Sequence, residues 1–152
     1  MAFSVKATLE KIQSYLASDG GFKVAMIGEP KSLAPGTQLA AAVYMQGVSF
    51  EGFVVDGGSI ESHVVNIRLY MEMFREPVKE VEIDMAVAVQ RIVSDLLGDF
   101  DLGATIRNVD GANVRTDWGY VDLGGKMFRV ADITLPLIVD NSATAAAKER
   151  IC

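Results

Sequence analysis

A change of hydrophobic periodicity in the middle of the chain limits the fold most. Over residues 65–73 apolar and polar residues alternate, which is the pattern of a strand with one buried face. Pro77 follows, and over 78–96 apolar residues recur at helical spacing until Gly98. A strand over 81–89 is an alternative, but the length of the stripe and the proline favour a helix. A half-buried strand next to a long helix predicts an α+β fold with antiparallel or mixed sheets.

The amino-terminal part predicts another helix and two strands. Apolar residues at helical spacing over 5–16 predict an amphipathic helix, with Ser4 as its N-cap and Gly20-Gly21 as its stop. Strands are predicted near 22–26 and 39–45, where apolar residues alternate with smaller or polar ones. The sheets therefore pack against two main helices.

The carboxyl-terminal third predicts a three-stranded meander. Its strands cover about 104–109, 112–122 and 126–139. Asp110-Gly111 and Gly124-Gly125 separate them, and both are favoured two-residue hairpin turns.

Three details of this meander are predicted from single residues. The apolar phase changes at Ala131-Asp132, which indicates either a bulge or a strand buried on both faces. Pro136 places the end of the last strand at a sheet edge. Trp118 and Tyr120 either pack in the core, which is the favoured interpretation, or dock on a neighbouring subunit.

The composition fits one domain that needs no covalent staple. The chain has 152 residues, of which 50% are hydrophobic and 22% charged, enough for a sizeable core. We expect a single domain over 1–140 and a flexible polar tail over 141–152. Cys152 and His63 are the only cysteine and histidine, so the chain suits a reducing compartment.

The net charge and the absence of long apolar segments predict that the chain binds neither nucleic acid nor a membrane. A formal net charge of −6 argues against nucleic-acid binding, because phosphate contacts need clustered Lys and Arg. The uncharged stretch over 32–50 is interrupted by Pro35 and Gly36, so we expect no membrane span. The amino terminus lacks the apolar run of a signal peptide.

Two loops resemble ligand-binding motifs but lack the required residues. The loop over 28–32 has a proline and a glutamate where a phosphate-binding loop needs backbone donors. Asp99, Asp101 and Asp110 have nearly the spacing of a calcium loop, but Ala104 stands where that loop needs glycine. Solvated turns explain both segments better.

No residue cluster indicates catalysis. His63 has neither a neighbouring nucleophile nor a second metal ligand in the sequence. Glu51, Asp56 and Glu61 read as solvated loop charges. We therefore expect a protein that is not an enzyme and holds no cofactor or metal.

The connection over 48–60 is the best candidate for an interaction surface. It is long enough to be a functional loop or an extended hairpin arm, and it presents Phe50, Phe53, Val54 and Val55 amid glycines. One interpretation is a bent strand whose side chains enter the core. The other is an arm that docks on a neighbouring subunit.

Most of the chain, from Phe3 to Asp140, resembles the tail terminator proteins of long-tailed bacteriophages. The resemblance is carried by the run HVVNIRLYMEMFREP, by IRNVDGANVRTDWGYVDLGGKMFRVADITLPLIVD, and by the amphipathic first helix. It implies a hexameric ring in the virion that caps the head-proximal end of the tail tube. The implied partners are the major tail tube protein and the head completion or stopper protein, and DNA passes through the lumen unbound.

A ring of this kind needs two different patches on each subunit, because cyclic contacts are heterologous. We hypothesise that the arm over 48–60 supplies one patch. Arg107, Arg115 and Arg129 would offer polar contacts for the other. Alternatives are another neck ring, a tail tube protein or, less favoured, a small ligand-binding domain or enzyme.

Overall fold

Two helices and six strands make up the part of the chain that the computed structural model describes. That part covers residues 3–18, 22, 24–33, 39–53, 58–72, 78–99, 102 and 106–141. In chain order the elements are α1 (Val5–Ser18), β1 (Val24–Ile27), β2 (Ala40–Phe53), β3 (Ser59–Glu72), α2 (Val78–Gly98), β4 (Asn108–Val109), β5 (Arg115–Leu123) and β6 (Lys126–Asn141). The predicted α+β class with two main helices is confirmed.

Helix α1 begins where its capping residue was predicted. The hydroxyl oxygen of Ser4 accepts a hydrogen bond from the backbone N–H of Ala7 at 3.2 Å, which satisfies one donor of the first turn. The helix buries Thr8, Ile12 and Leu16, which are spaced four residues apart and so lie on one side. The predicted stop at Gly20-Gly21 lies outside the described residues.

Helix α2 confirms the helical interpretation of the central apolar stripe. Met85, Ile92 and Leu96 are buried at helical spacing, and they join the residues of α1 in one core. Ile83 and Val87 lie on the other side of the helix and are exposed. The predicted start at Pro77 lies outside the described residues.

The strands form one mixed sheet. Their order is β1-β2-β3-β6-β4, and β5 also pairs with β6. Only β1 and β2 are parallel; the other pairs are antiparallel. Residues on one face of this sheet, such as Ile67 and Ile133, pack against both helices, and we call it the helix face.

Strand β6 is buried on both faces, which explains its change of apolar phase. Ala131, Ile133 and Leu135 belong to the core on the helix face, whereas Phe128 and Val130 belong to a smaller core on the second face. The register against β3 runs from Phe128 to Asn141 without a shift. Of the two alternatives, burial on both faces is therefore correct, and the bulge is wrong.

The predicted meander is wrong in one connection. The Gly124-Gly125 hairpin between β5 and β6 is confirmed. Asp110-Gly111 is not a hairpin turn, since Gly111–Asn113 forms a 3₁₀ turn and β4 and β5 both pair with the same edge of β6. These two strands therefore run in the same direction, one after the other.

Pro136 is buried inside the sheet, so its predicted place at an edge is wrong. Its carbonyl accepts a hydrogen bond from the N–H of Asp110, at the break between β4 and β5. The N and C=O of one strand residue point to the same side, so the missing N–H of Pro136 also faces this break. The interruption between β4 and β5 thus makes a proline compatible with an interior strand.

The connection over 48–60 is an extended hairpin rather than a loop. Strands β2 and β3 stay paired out to Phe53 and Ser59. The register shifts between Met45 and Gly47 and again between Phe50 and Gly52, so the hairpin bends twice along its length.

Candidate interaction surface

An exposed aromatic cluster lies on strand β5. Trp118 and Tyr120 are 40% and 60% exposed, so the expectation that they pack in the core is wrong. The guanidinium carbon of Arg129 lies 5.8 Å from the centre of the Trp118 ring and 4.5 Å from that of Tyr120. Both distances are typical of cation–π contacts, which stabilise such pairs by about 0.5–1 kcal/mol at exposed sites.

Arg129 is itself fixed by α2 and by β5. Its Nε donates to Glu82 Oε1 at 2.7 Å, and its Nη1 donates to the carbonyl oxygen of Gly119 at 3.1 Å. A guanidinium that is held by a carboxylate and a carbonyl keeps both aromatic rings in place. The cluster is therefore preorganised, and Trp, Tyr and Arg are the residue types that dominate binding energies at protein interfaces.

A second exposed apolar patch lies on the β2–β3 hairpin. Val48 and Phe50 are 59% and 56% exposed, so the interpretation that these side chains enter the core is wrong for both. Phe53 ends β2, but its side chain lies outside the described residues, as do Val54 and Val55. Of the four apolar residues predicted to dock, Phe50 is thus the one whose side chain the structure describes.

Both apolar patches lie on the helix face of the sheet. Val48 and Phe50 are opposite His63 and Glu61 in β3, and alternation along β3 puts these on the same face as Ile67. Trp118 is opposite Ala131, which belongs to the core under the helices. The two patches therefore share one face but lie towards opposite sides of the sheet.

The three predicted arginines do not form one polar region. Arg115 is opposite Thr134, five positions from Arg129 along β6, so these two side chains project from opposite faces. Arg107 lies beside β4, where its Nη1 is 3.9 Å from Asp140 Oδ2. Only Arg129 lies with the aromatic cluster.

A polar network on the second face was not predicted. Arg68 donates from Nε and Nη2 to the carboxylate of Asp132 at 2.6 and 3.0 Å, and Asn66 donates to Asp132 at 3.0 Å and to the Tyr44 hydroxyl at 2.8 Å. Asn66 and Arg68 read in the sequence as the solvent side of an alternating strand. The sequence held one signal of this network. It was Asp132, the polar residue at which the apolar phase of β6 changes.

The network also changes the acidity of its members. Burial, together with a hydrogen bond to Glu29, raises the pKa of Tyr44 to about 12. The hydrogen bond to Asp132 raises the pKa of Arg68, and burial raises that of Tyr70. These shifts keep the tyrosines neutral and the arginine charged, which suits a structural network.

The described residues offer little for catalysis. His63 Nε2 lies 3.3 Å from Glu61 Oε1, and its ring packs 4.5 Å from that of Phe3. Its Nδ1 is buried and has no hydrogen-bond partner among the described residues. Within the described ranges, no group of three His, Cys, Asp or Glu side chains could hold a metal ion. Asp56, Asp101 and Ala104 lie outside those ranges.

One cleft separates the two helices. It has a volume of about 400 Å³ and is crossed by a 2.6 Å hydrogen bond from the Tyr15 hydroxyl to Asp95. Its described lining contains Lys11 and Asp99 but neither histidine nor cysteine.

No protein-family model matches the chain, and no curated protein matches it. Over the described residues, neither helix is long and apolar enough to cross a bilayer. The exposed patches are therefore the features on which a functional proposal can rest.

Proposed function

We propose that this chain is a structural subunit of a ring that caps the tail tube of a long-tailed bacteriophage, as a tail terminator does. The observation that carries the proposal is the pair of unlike exposed patches, Val48 with Phe50 and Trp118 with Tyr120, on opposite sides of one sheet. A cyclic ring uses heterologous contacts, so each subunit must present two different surfaces. A single patch would instead suggest a symmetric dimer.

Among ring proteins we choose the tail terminator because two segments of the chain resemble that family. The first covers residues 63–77 and includes most of β3; the second covers 106–140 and includes β4, β5 and most of β6. Of these strands, β3 and β6 are paired antiparallel inside the sheet, and β4 and β5 pair antiparallel with the other side of β6. We propose six subunits, a place in the virion between head and tail, and contacts with the tail tube protein and the head completion protein.

The charge supports a lumen through which DNA moves. The net charge of −6 disfavours binding to a polyanion, and a wall of like charge would repel the genome. The second face carries the exposed Asp117, opposite Asp132, whose charge is already paired with that of Arg68. If the sheet closes into a ring with the helices outside, these residues face inward.

The test combines mass, images and a capping assay. Light scattering and negative-stain images of the purified protein, alone and with tail tubes, should show rings in solution or at tube ends. Added protein should also stop growth of tubes assembled from the tube subunit. Filaments of the protein alone would favour a tube subunit instead, and a monomer without affinity for tubes would overturn the proposal.

A further inference from the structure

Strand β5 forms an open edge of the sheet. In the described ranges it pairs along one side only, with β6, over its whole length from Arg115 to Leu123. This pairing has no register shift, and the strand contains neither proline nor lysine. Natural edge strands are often protected by such residues or by bulges, and an unprotected edge is a template for another strand. The backbone of β5 is therefore available to a partner.

The helices do not cover β5. Trp118 and Tyr120 project from the helix face, yet 40% and 60% of their surfaces are exposed. Thr116 and Asp122, the other residues of β5 on this face, are exposed as well. A strand added at this edge would therefore extend the sheet away from the helices, with its own side chains next to the two aromatic rings.

A second copy of β5 fits this edge in one register. When two identical strands pair antiparallel about a two-fold axis, facing residues share one face of the sheet, so one residue must lie opposite itself. With Gly119 at the axis, all nine residues of β5 are paired, and each Trp118 faces Tyr120 of the other copy. An axis at Asp117 would instead place two carboxylates opposite each other, which is destabilising.

The register about Gly119 also suits the charges and the backbone. Every charged residue of β5 then lies opposite an uncharged one; the pairs are Arg115 with Leu123, Asp117 with Val121, and Asp122 with Thr116. The guanidinium of Arg129 holds both aromatic rings before pairing. It also donates to the Gly119 carbonyl at 3.1 Å, but a carbonyl oxygen has a second lone pair that a partner strand can use.

We propose that two copies of this chain pair through β5, antiparallel and centred on Gly119, when no tail tube is present. The inference goes beyond the proposed ring, because it concerns the subunit before assembly, and its link to the ring rests on the proposed function. The pair buries Trp118 and Tyr120, which the proposed ring needs for a different contact. Pairing and ring formation therefore exclude each other, and the pair keeps an open edge covered until a tube is available.

A cysteine at the axis tests the pairing. Directly opposite residues of antiparallel strands have Cα atoms about 4.5–5.5 Å apart, which is within the range of a disulfide. The Gly119→Cys variant is made in a chain that carries Cys152→Ser. A Cβ at Gly119 lies 3.8 Å from Val130 Cγ2, an ordinary contact, so the fold accepts the new side chain. Mild oxidation should give a covalent dimer and no larger species on non-reducing gels.

Two further variants fix the register and do not depend on the glycine. In the same background, Asp117→Cys and Val121→Cys should each remain uncross-linked alone and give a covalent dimer when mixed. Ser94→Cys, which is exposed on α2, is the matched control and should not cross-link. Light scattering of the unaltered chain should show two chains of 16.4 kDa per particle without tubes. Tail tubes added before oxidation should lower the yield of the Gly119→Cys dimer.

The other outcomes separate the pairing from the proposed function. Cross-linking of Asp117→Cys alone would show a different axis and overturn the pairing about Gly119. A monomer in solution that caps tail tubes, with no covalent dimer from any variant or mixture, would overturn the pairing and leave the proposed function standing. A dimer that forms as expected but never caps tubes would retain the pairing and overturn the terminator function.

Discussion

The ion pair between Arg68 and Asp132 lies in a setting that leaves these side chains only 22% and 24% exposed. Asp132 accepts from two nitrogens of Arg68 and also from Asn66. Asp132→Ala would remove the acceptor of Arg68 Nε and Nη2 and one of the two acceptors of Asn66, in a place where water reaches these donors poorly. Asp132 therefore contributes more to the free energy of unfolding than an ion-pair partner on the surface would.

We expect Asp132→Ala to lower the free energy of unfolding by about 1.5–3 kcal/mol, the range for hydrogen bonds to charged groups. Urea denaturation measures the change. The control is Lys6→Ala, which removes an exposed ion pair with Glu10 at 3.9 Å and should cost less than about 0.5 kcal/mol. Equal effects of the two variants would contradict the structural role of the network.

The raised pKa of Tyr44 predicts a pH dependence of stability. The pKa of this hydroxyl is about 12 in the folded protein, against an ordinary value of 10.0 that we take for the unfolded chain. Its contribution is fully present below pH 10 and is lost as the pH rises from there towards 12, because the unfolded chain loses its proton first. Tyr44→Phe should flatten this fall in stability, measured by denaturation midpoints across the window. An unchanged pH profile in the variant would contradict it.

At the level of elements, α2 has a buried side and an exposed side. Ile92 is fully buried in the main core, whereas Val87 is 56% exposed. Ile92→Ala should cost about 2–4 kcal/mol, since it removes buried methyl groups and leaves a cavity. Val87→Ala should change the free energy of unfolding by less than about 0.5 kcal/mol, measured by the same denaturant titration. Similar losses in both variants would mean that α2 is packed on both sides.

Periodicity predicted which elements exist but not how they pair. The helix α2 and the strand β3 each depend on local spacing, and both were confirmed. The prediction that β3 buries one face only was wrong, because Asn66 and Tyr70 are buried on the second face. Asp110-Gly111 has hairpin chemistry, yet β4 and β5 both find their backbone partners on β6. Such pairing depends on contacts far apart in the chain, which a local turn signal does not contain.

For the same reason, the candidate surface could be predicted from the sequence only in part. The apolar arm was visible in the sequence because Phe50 stands among glycines and polar residues. Trp118 and Tyr120 were assigned to the core because aromatic residues usually lie there, and the sequence does not show that β5 is an edge strand. The contact of Arg129 with both rings depends on register, so it emerged only from the structure.

At the level of the whole molecule, assembly of the proposed ring should depend on the aromatic cluster of β5. Trp118→Ala should weaken ring formation about tenfold or more, since exposed Trp residues at interfaces often carry about 2 kcal/mol or more. Light scattering over a dilution series measures the change. Val87→Ala, which removes an exposed apolar side chain from the helix layer, should assemble like the unaltered chain. Normal rings from the Trp118 variant would exclude β5 as an interface.

Trp118 is the only tryptophan of the chain, and it stands at the open edge with 40% of its surface exposed. The fluorescence emission of an indole side chain shifts to shorter wavelength when the side chain is shielded from water. The chain therefore carries its own optical reporter, and the emission colour of an unlabelled sample should follow the joining of subunits as concentration rises. Stopped-flow recording of the emission wavelength would follow closure of the proposed subunit ring without an added dye.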